Sequence, residues 1–210
     1  TGSEITQEAD GLSSGFRRCS NASYIAALMS RIGVTDIRTI VVPDDIRQLT
    51  RTLVELDAVC DVIITVGGTG KGKRDYTRQA VSDAGGVFVG HDTQLDSPFV
   101  TARLPHAGLI GLPGNPLAVM MIVQCVLLES VRSVFHLPEA PAQTVEAVMT
   151  EDIEAGICGE LCVNVNESAA KPLIKGTGRM RVFDSARGFV RLNGQGIKRG
   201  ERVRVELFRN

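Results

Sequence analysis

The sequence lacks an excess of either charge. Its 210 residues carry 23 Lys and Arg against 24 Asp and Glu, a net charge of −1, so the basic surplus that unspecific nucleic-acid binding draws on is missing. No nucleic-acid partner is expected. A long apolar run is also lacking: the longest, Leu117 to Leu128, is interrupted by Gln124 and falls short of the roughly 20 residues that cross a bilayer. No membrane span is expected. Cysteines show no paired pattern. They stand at Cys19, Cys60, Cys125, Cys158 and Cys162, odd in number and scattered, as befits reduced thiols in a cytoplasmic protein. The chain opens on Thr1-Gly2-Ser3-Glu4-Ile5 with no initiator Met, no leader segment and no lead-in strand, the opening expected of a fragment.

With 43% hydrophobic residues the chain can still bury a substantial core. Tyr24, Ile25, Leu28, Met29 and Ile32 recur at helical spacing between Ser20 and Gly33, which predicts a helix. The β-branched stretch Ile37 to Val42 predicts a strand. Asp44 is then expected to cap a second amphipathic helix carrying Ile46, Leu49, Leu53 and Leu56. Asp61 to Val66 is apolar without alternation, the pattern of a parallel strand covered on both faces. A helix over about Tyr76 to Ala84, short strands at Val87 to Val89 and Leu109 to Leu112, and a long helix from Pro116 to about Phe135 follow. The alternation predicts an α/β layer domain over 1–138. Beyond the His136-Leu137-Pro138-Glu139-Ala140-Pro141 linker, short alternating runs (Glu160 to Val165, Arg179 to Phe183, Phe189 to Leu192, Arg202 to Phe208) predict a small β domain over 143–210.

In open α/β sheets ligands gather beyond the carboxyl ends of the strands. Two loops fall there. Gly67-Gly68-Thr69-Gly70-Lys71-Gly72-Lys73-Arg74-Asp75 combines four glycines, whose backbones can approach a phosphate closely, with three cations; it lacks the Walker spacing. Leu112-Pro113-Gly114-Asn115-Pro116 places a second turn at a helix N-terminus, which suits an anion or a heterocycle edge and equally suits a simple capped turn. Asp75 with Asp44 and Asp45 could face one cavity and hold Mg²⁺ beside a phosphate, although Asp44 serves equally as a helix cap. His91, His106 and His136 join no nucleophile or metal spacing, Cys158 and Cys162 have no second pair for zinc, and Met120 and Met121 read as core.

The ordered set Thr1-Gly2-Ser3-Glu4-Ile5, the Asn21 helix, Val42-Pro43-Asp44-Asp45, the Asp61 to Asp75 segment and Gly111 to Pro116 resembles the molybdopterin-binding domain of molybdenum insertases (MoeA and the gephyrin E domain) and of molybdopterin adenylyltransferases. Gly176 to Met180 and Ala186 to Phe189 are similar to the insertases' C-terminal β domain, which the adenylyltransferases lack. The resemblance implies a three-layer αβα domain with a mostly parallel sheet, followed by a small all-β, barrel-like domain. It implies insertion of molybdate into adenylylated molybdopterin, with Mg²⁺ assisting and a homodimer possible. Glu4, Asp44 and Asp75 would line the catalytic and metal region; Gly67, Gly68, Thr69, Gly70 and Lys71 with Pro113, Gly114, Asn115 and Pro116 would hold the pterin and its phosphate. The pattern departs in two places. Ser3 stands where the family carries an acid, and Gln94-Leu95-Asp96-Ser97-Pro98 stands where insertases carry K-P-G-K-P, a change of about three charge units that disfavours molybdate. Adenylyl transfer to molybdopterin, suggested by the GGTG loop, and pterin binding without catalysis are the alternatives.

Overall fold

The structure is a computed structural model that describes residues 20–69, 76–89, 99–137, 142–173 and 185–209, together with the backbone of 5–6 and 17–18. Contacts divide the chain into two compact units, 1–92 with 97–119, and 93–96 with 120–210.

In the first unit, β1 (Ile5–Thr6) and β2 (Arg17–Arg18) form a short parallel pair ahead of α1 (Ser20–Arg31). Helix α2 (Ile46–Asp57) follows, then β3 (Val62–Val66), α3 (Thr77–Asp83), β4 (Val87–Phe88), β5 (Val100–Arg103) and β6 (Gly108–Leu112). The four strands β3 to β6 form one sheet in the order β3-β6-β5-β4. The α/β expectation is met, with a mixed sheet: β3 runs parallel to β6, whereas β5 is antiparallel to both β6 and β4. The reason is chain length. Only Leu104 to Ala107 separate β5 from β6, and a parallel return needs a crossover of a dozen residues or more. That turn is fastened from outside the sheet by the buried Asp57 carboxylate, which accepts from the N–H groups of His106 at 3.0 Å and Ala107 at 2.8 Å. Leu49 and Leu53 of α2 pack with Ile63, Val81, Leu104 and Leu109 in the core of this unit.

Two sequence expectations are corrected here. Residues 34–43 contain no strand; β-branched composition favours an extended chain, but a strand also needs a ladder partner. The helix cap is Asp45, whose side chain accepts from the Gln48 N–H at 2.9 Å, because α2 begins one residue later than Asp44 would require.

The long helix is three joined pieces: α4 (Pro116–Ile122), a π-helical stretch (Val123–Leu127) and α5 (Leu128–Val134). Its 19 residues are long and apolar enough to cross a membrane by length and composition, more than the interrupted Leu117 to Leu128 run suggested, yet half of that span is buried inside the protein. Met120 and Met121 are buried within it as expected.

The second unit contains a closed barrel of β7 (Thr144–Met149), β8 (Cys158–Asn166), β9 (Ala169–Pro172), β10 (Gly188–Asn193) and β11 (Arg202–Leu207), ordered β10-β11-β7-β9-β8. All its pairings are antiparallel except β7 with β9. In β11 Val203 and Val205 are buried while Arg202 and Arg204 are exposed, the two-residue alternation of a strand with one wet face. Met149, Val163, Val190 and Val205 fill the barrel core. The run predicted at Arg179 to Phe183 lies outside the described residues.

Candidate functional site

Strand β3 ends at Val66 and the chain turns through Gly67 and Gly68 with φ of 84° and 68°. Both angles lie in the left-handed region that glycine enters without a side-chain clash. Strand β6 ends alongside at Leu112, and the Gly67 N–H donates to its carbonyl at 2.9 Å. The following turn rises next to the first: a Cβ on Gly114 would lie 3.9 Å from Gly67 Cα. The two loops that the sequence placed at strand ends therefore form one corner.

Hydrogen bonding gives this corner a polarity. The Thr77 hydroxyl donates to the Gly67 carbonyl at 3.1 Å, the Thr77 N–H donates to the Gly68 carbonyl at 3.1 Å, and Asn21 Nδ2 donates to the Gly114 carbonyl at 3.0 Å. Three carbonyls are thus tied back to the protein. By contrast, no hydrogen bond among the described residues takes the N–H groups of Gly68, Thr69, Gly114 or Asn115. Asn115 also caps the long helix, its Oδ1 accepting from Ala118 N–H at 3.1 Å and its carbonyl from Val119 N–H at 3.0 Å, so both of its acceptors are engaged and its donors, the main-chain N–H and Nδ2, remain for a ligand. A surface with unpaired amides and satisfied carbonyls attracts oxyanions. Beneath it the buried hydroxyls of Thr65 and Thr69 have no hydrogen-bond partner among the described residues. Gly111 makes room for both, since a Cβ there would meet Thr69 Cγ2 at 3.0 Å and Thr65 Oγ1 at 3.2 Å.

Comparison with known proteins bears on what such a corner belongs to. The family model described as a probable molybdopterin binding domain matches residues 1–133. The chain belongs to the molybdopterin-binding domain family. It is 26% identical over 160 residues to molybdopterin molybdenumtransferase 2 of Mycobacterium tuberculosis, covering 73% of this chain and 40% of that protein. It is 35% identical over 113 residues to a CinA-like protein of Desulforapulum autotrophicum, covering 54% of this chain and 26% of the other. The chain therefore spans less than half the length of these relatives. A solved structure, the molybdopterin biosynthesis MoeA protein from Pyrococcus horikosii, superposes on the whole chain with a TM-score of 0.85 at 22% identity, covering 53% of that molecule. The fold, α/β domain and barrel together, is of MoeA type.

Of the residues expected from the sequence resemblance, the Gly67, Gly68 and Thr69 turn lies beside the Pro113, Gly114, Asn115 and Pro116 turn, the two approaching through Gly67 and Gly114. Glu4, Gly70, Lys71 and Asp75 lie outside the described residues. Asp44 is half-buried just before α2, and no group of three or more His, Cys, Asp or Glu among the described residues could hold a metal. Asp44 alone does not make a Mg²⁺ site, which takes one or two carboxylates together with substrate phosphates. Thr77 was not singled out by the sequence, and Asn21 entered only with the helix that carries the resemblance; neither role is legible locally, because their carbonyl partners are 10 and 93 residues away.

A second polar region sits in the barrel unit around a cavity of about 40 Å³ lined by Gln124, Cys125, Arg191, Glu206 and Arg209 among others. Arg191 reaches Glu206 at 2.7 Å and Glu160 at 3.4 Å and stacks over the Phe189 ring at 5.3 Å. The Gln124 amide both donates to the Arg209 carbonyl at 3.0 Å and accepts from its N–H at 2.9 Å; Arg209 also pairs with Glu129. Burial raises the Glu160 carboxyl above its ordinary value, against the opposing pull of Arg191. Burial likewise pushes the Cys162 thiol up to about 12 and the Cys125 thiol higher still, so neither supplies a thiolate nucleophile at neutral pH. This region is a structural network.

Proposed function

We propose that the chain is the pterin-holding and barrel portion of a MoeA-like protein of molybdenum cofactor synthesis, acting on adenylylated molybdopterin and molybdate in the cytoplasm. The observation that carries this reading is the corner itself. Amides of Gly68, Thr69, Gly114 and Asn115 would receive phosphate oxygens of the pterin ligand, while the glycines admit it close to the backbone. The closed barrel favours insertion over adenylyl transfer, because the resemblance ties that appended domain to insertases. Mg²⁺ would require Asp75 and Glu4 beside Asp44; when bound it would neutralise phosphate charge.

The replacement of K-P-G-K-P by Gln94-Leu95-Asp96-Ser97-Pro98 favours a second reading, in which the pterin is bound without turnover. The test separates the two. Adenylylated molybdopterin is titrated into the 210-residue chain and AMP release is followed with molybdate and Mg²⁺. Binding in the micromolar range with weak or absent AMP release is expected; robust turnover would show that the lost cations are dispensable. Absence of binding would end both readings. Pyrophosphate release from ATP and molybdopterin would support adenylyl transfer instead.

A further inference from the structure

We propose that Thr77 and Asn21 are positioning residues that create the anion site by holding carbonyl oxygens away from it. Every peptide unit in a tight loop can present either its donor or its acceptor to a ligand, and a carbonyl turned toward an oxyanion repels it. Gly67, Gly68 and Gly114 lack side chains that would restrict this choice. Something else must fix their orientation.

The structure identifies what does. Thr77 is fully buried and holds two consecutive carbonyls at once, that of Gly67 through its hydroxyl and that of Gly68 through its N–H, both at 3.1 Å. Tyr76, which precedes it at the cap position, makes no side-chain capping bond, so the hydroxyl of Thr77 serves the glycine loop and not its own helix. Asn21 does the same for the second loop from the start of α1, through a bond to the Gly114 carbonyl at 3.0 Å. With those oxygens held back, the N–H groups of the same planar peptide units, those of Gly68, Thr69 and Asn115, face the opposite way, and like the N–H of Gly114 they take no hydrogen bond among the described residues. Neither residue needs to touch the ligand. The ligand class is an oxyanion, a phosphate ester being the form relevant to the function proposed above, on which this inference rests.

The test uses the ¹⁵N-labelled 210-residue chain titrated with inorganic phosphate, with adenylylated molybdopterin as a second probe. In the wild type the amide resonances of Gly68, Thr69, Gly114 and Asn115 are expected to shift together. Thr77→Val keeps shape and backbone N–H but removes the hydroxyl, and should weaken phosphate binding about tenfold, the worth of one hydrogen bond. Thr77→Ser should restore affinity to near the wild-type value. Asn21→Ala, at a partly exposed site where folding is not at stake, should weaken binding to a similar extent with little change in melting temperature. Wild-type affinity in both Thr77→Val and Asn21→Ala would overturn the positioning role while leaving the site intact. A wild-type chain whose corner amides respond to neither probe would overturn the site itself and this inference with it.

Discussion

The two polar regions of this molecule handle their hydrogen-bonding groups in opposite ways. In the barrel unit Gln124 uses both ends of its amide on the Arg209 backbone, and Arg191 joins two carboxylates. At the corner of β3 and β6, carbonyls are tied down while amides and two buried hydroxyls find no partner among the described residues. The barrel network is closed on itself except for the buried Glu160 Oε2, which finds no partner among the described residues, and it has little left to offer a ligand. An unpaired buried donor such as the Thr69 hydroxyl carries a free-energy deficit of about 1–3 kcal/mol, which a bound guest can relieve, while the exposed Gly114 and Asn115 offer amides that exchange water for a ligand. This difference, and not cavity size, sets the proposed binding corner apart from the barrel network.

Breaking the barrel network should have the larger effect. Arg191→Met removes the cation from between Glu160, whose side chain is 5% exposed, and Glu206. Loss of one partner of a fully buried pair costs about 3–5 kcal/mol; because the Arg191 side chain is itself 56% exposed, a loss of about 2 kcal/mol is expected once solvent screening is allowed for. Urea unfolding at neutral pH measures it. Phosphate affinity at the corner should not change, and a parallel loss of binding would mean that the two regions are coupled.

How much of this was legible beforehand follows from the range of each interaction. Strand β3 and helix α2 were readable because continuous apolar character and helical spacing are local signals. Strand β5 was missed although Val100 and Ala102 are buried between the less buried Thr101 and Arg103: four residues carry too little alternation to stand out. With Asp44 and Asp45 adjacent, sequence could not decide which one caps α2. The two loops were correctly sited at strand ends, but their polarity was not visible. It depends on Asn21 meeting Gly114 across 93 residues, a contact no spacing rule encodes. The π-helical turn at Val123–Leu127 likewise has no local signature, since the buried Gln124 that interrupts the apolar run finds its partner 85 residues on.

The comparison is sharpened from the other side by Thr65→Val. Its hydroxyl is buried next to Gly111 without a partner among the described residues, and valine keeps the shape while removing the unsatisfied group. A gain of about 1 kcal/mol in unfolding free energy is expected, opposite in sign to the Arg191 change, with phosphate affinity retained because the hydroxyl lies beneath the amide surface. A loss of stability would show that the hydroxyl is satisfied, by an internal water for instance, and that the corner is less frustrated than its hydrogen bonds indicate. A loss of affinity would instead make Thr65 part of the binding surface.

The smallest expected effect is a pH dependence confined to the barrel. Burial raises the Glu160 carboxyl in the folded state, with Arg191 and a backbone hydrogen bond opposing the rise. Between its ordinary value of 4.5 and that raised value, the folded chain holds a proton that the unfolded chain has already released. Linkage then makes the contribution of this residue to stability fall as pH rises through the window, and recover on acidification. Other carboxylates titrate in the same range, so the quantity to measure is the difference between wild type and Glu160→Gln, followed by urea unfolding from pH 7 down to pH 5. The amide cannot titrate. Wild type should therefore gain on the variant as pH falls, by less than either substitution effect above. A difference that stays flat, or that shrinks, would mean that Arg191 outweighs burial and that the carboxylate is as well satisfied as the rest of its network.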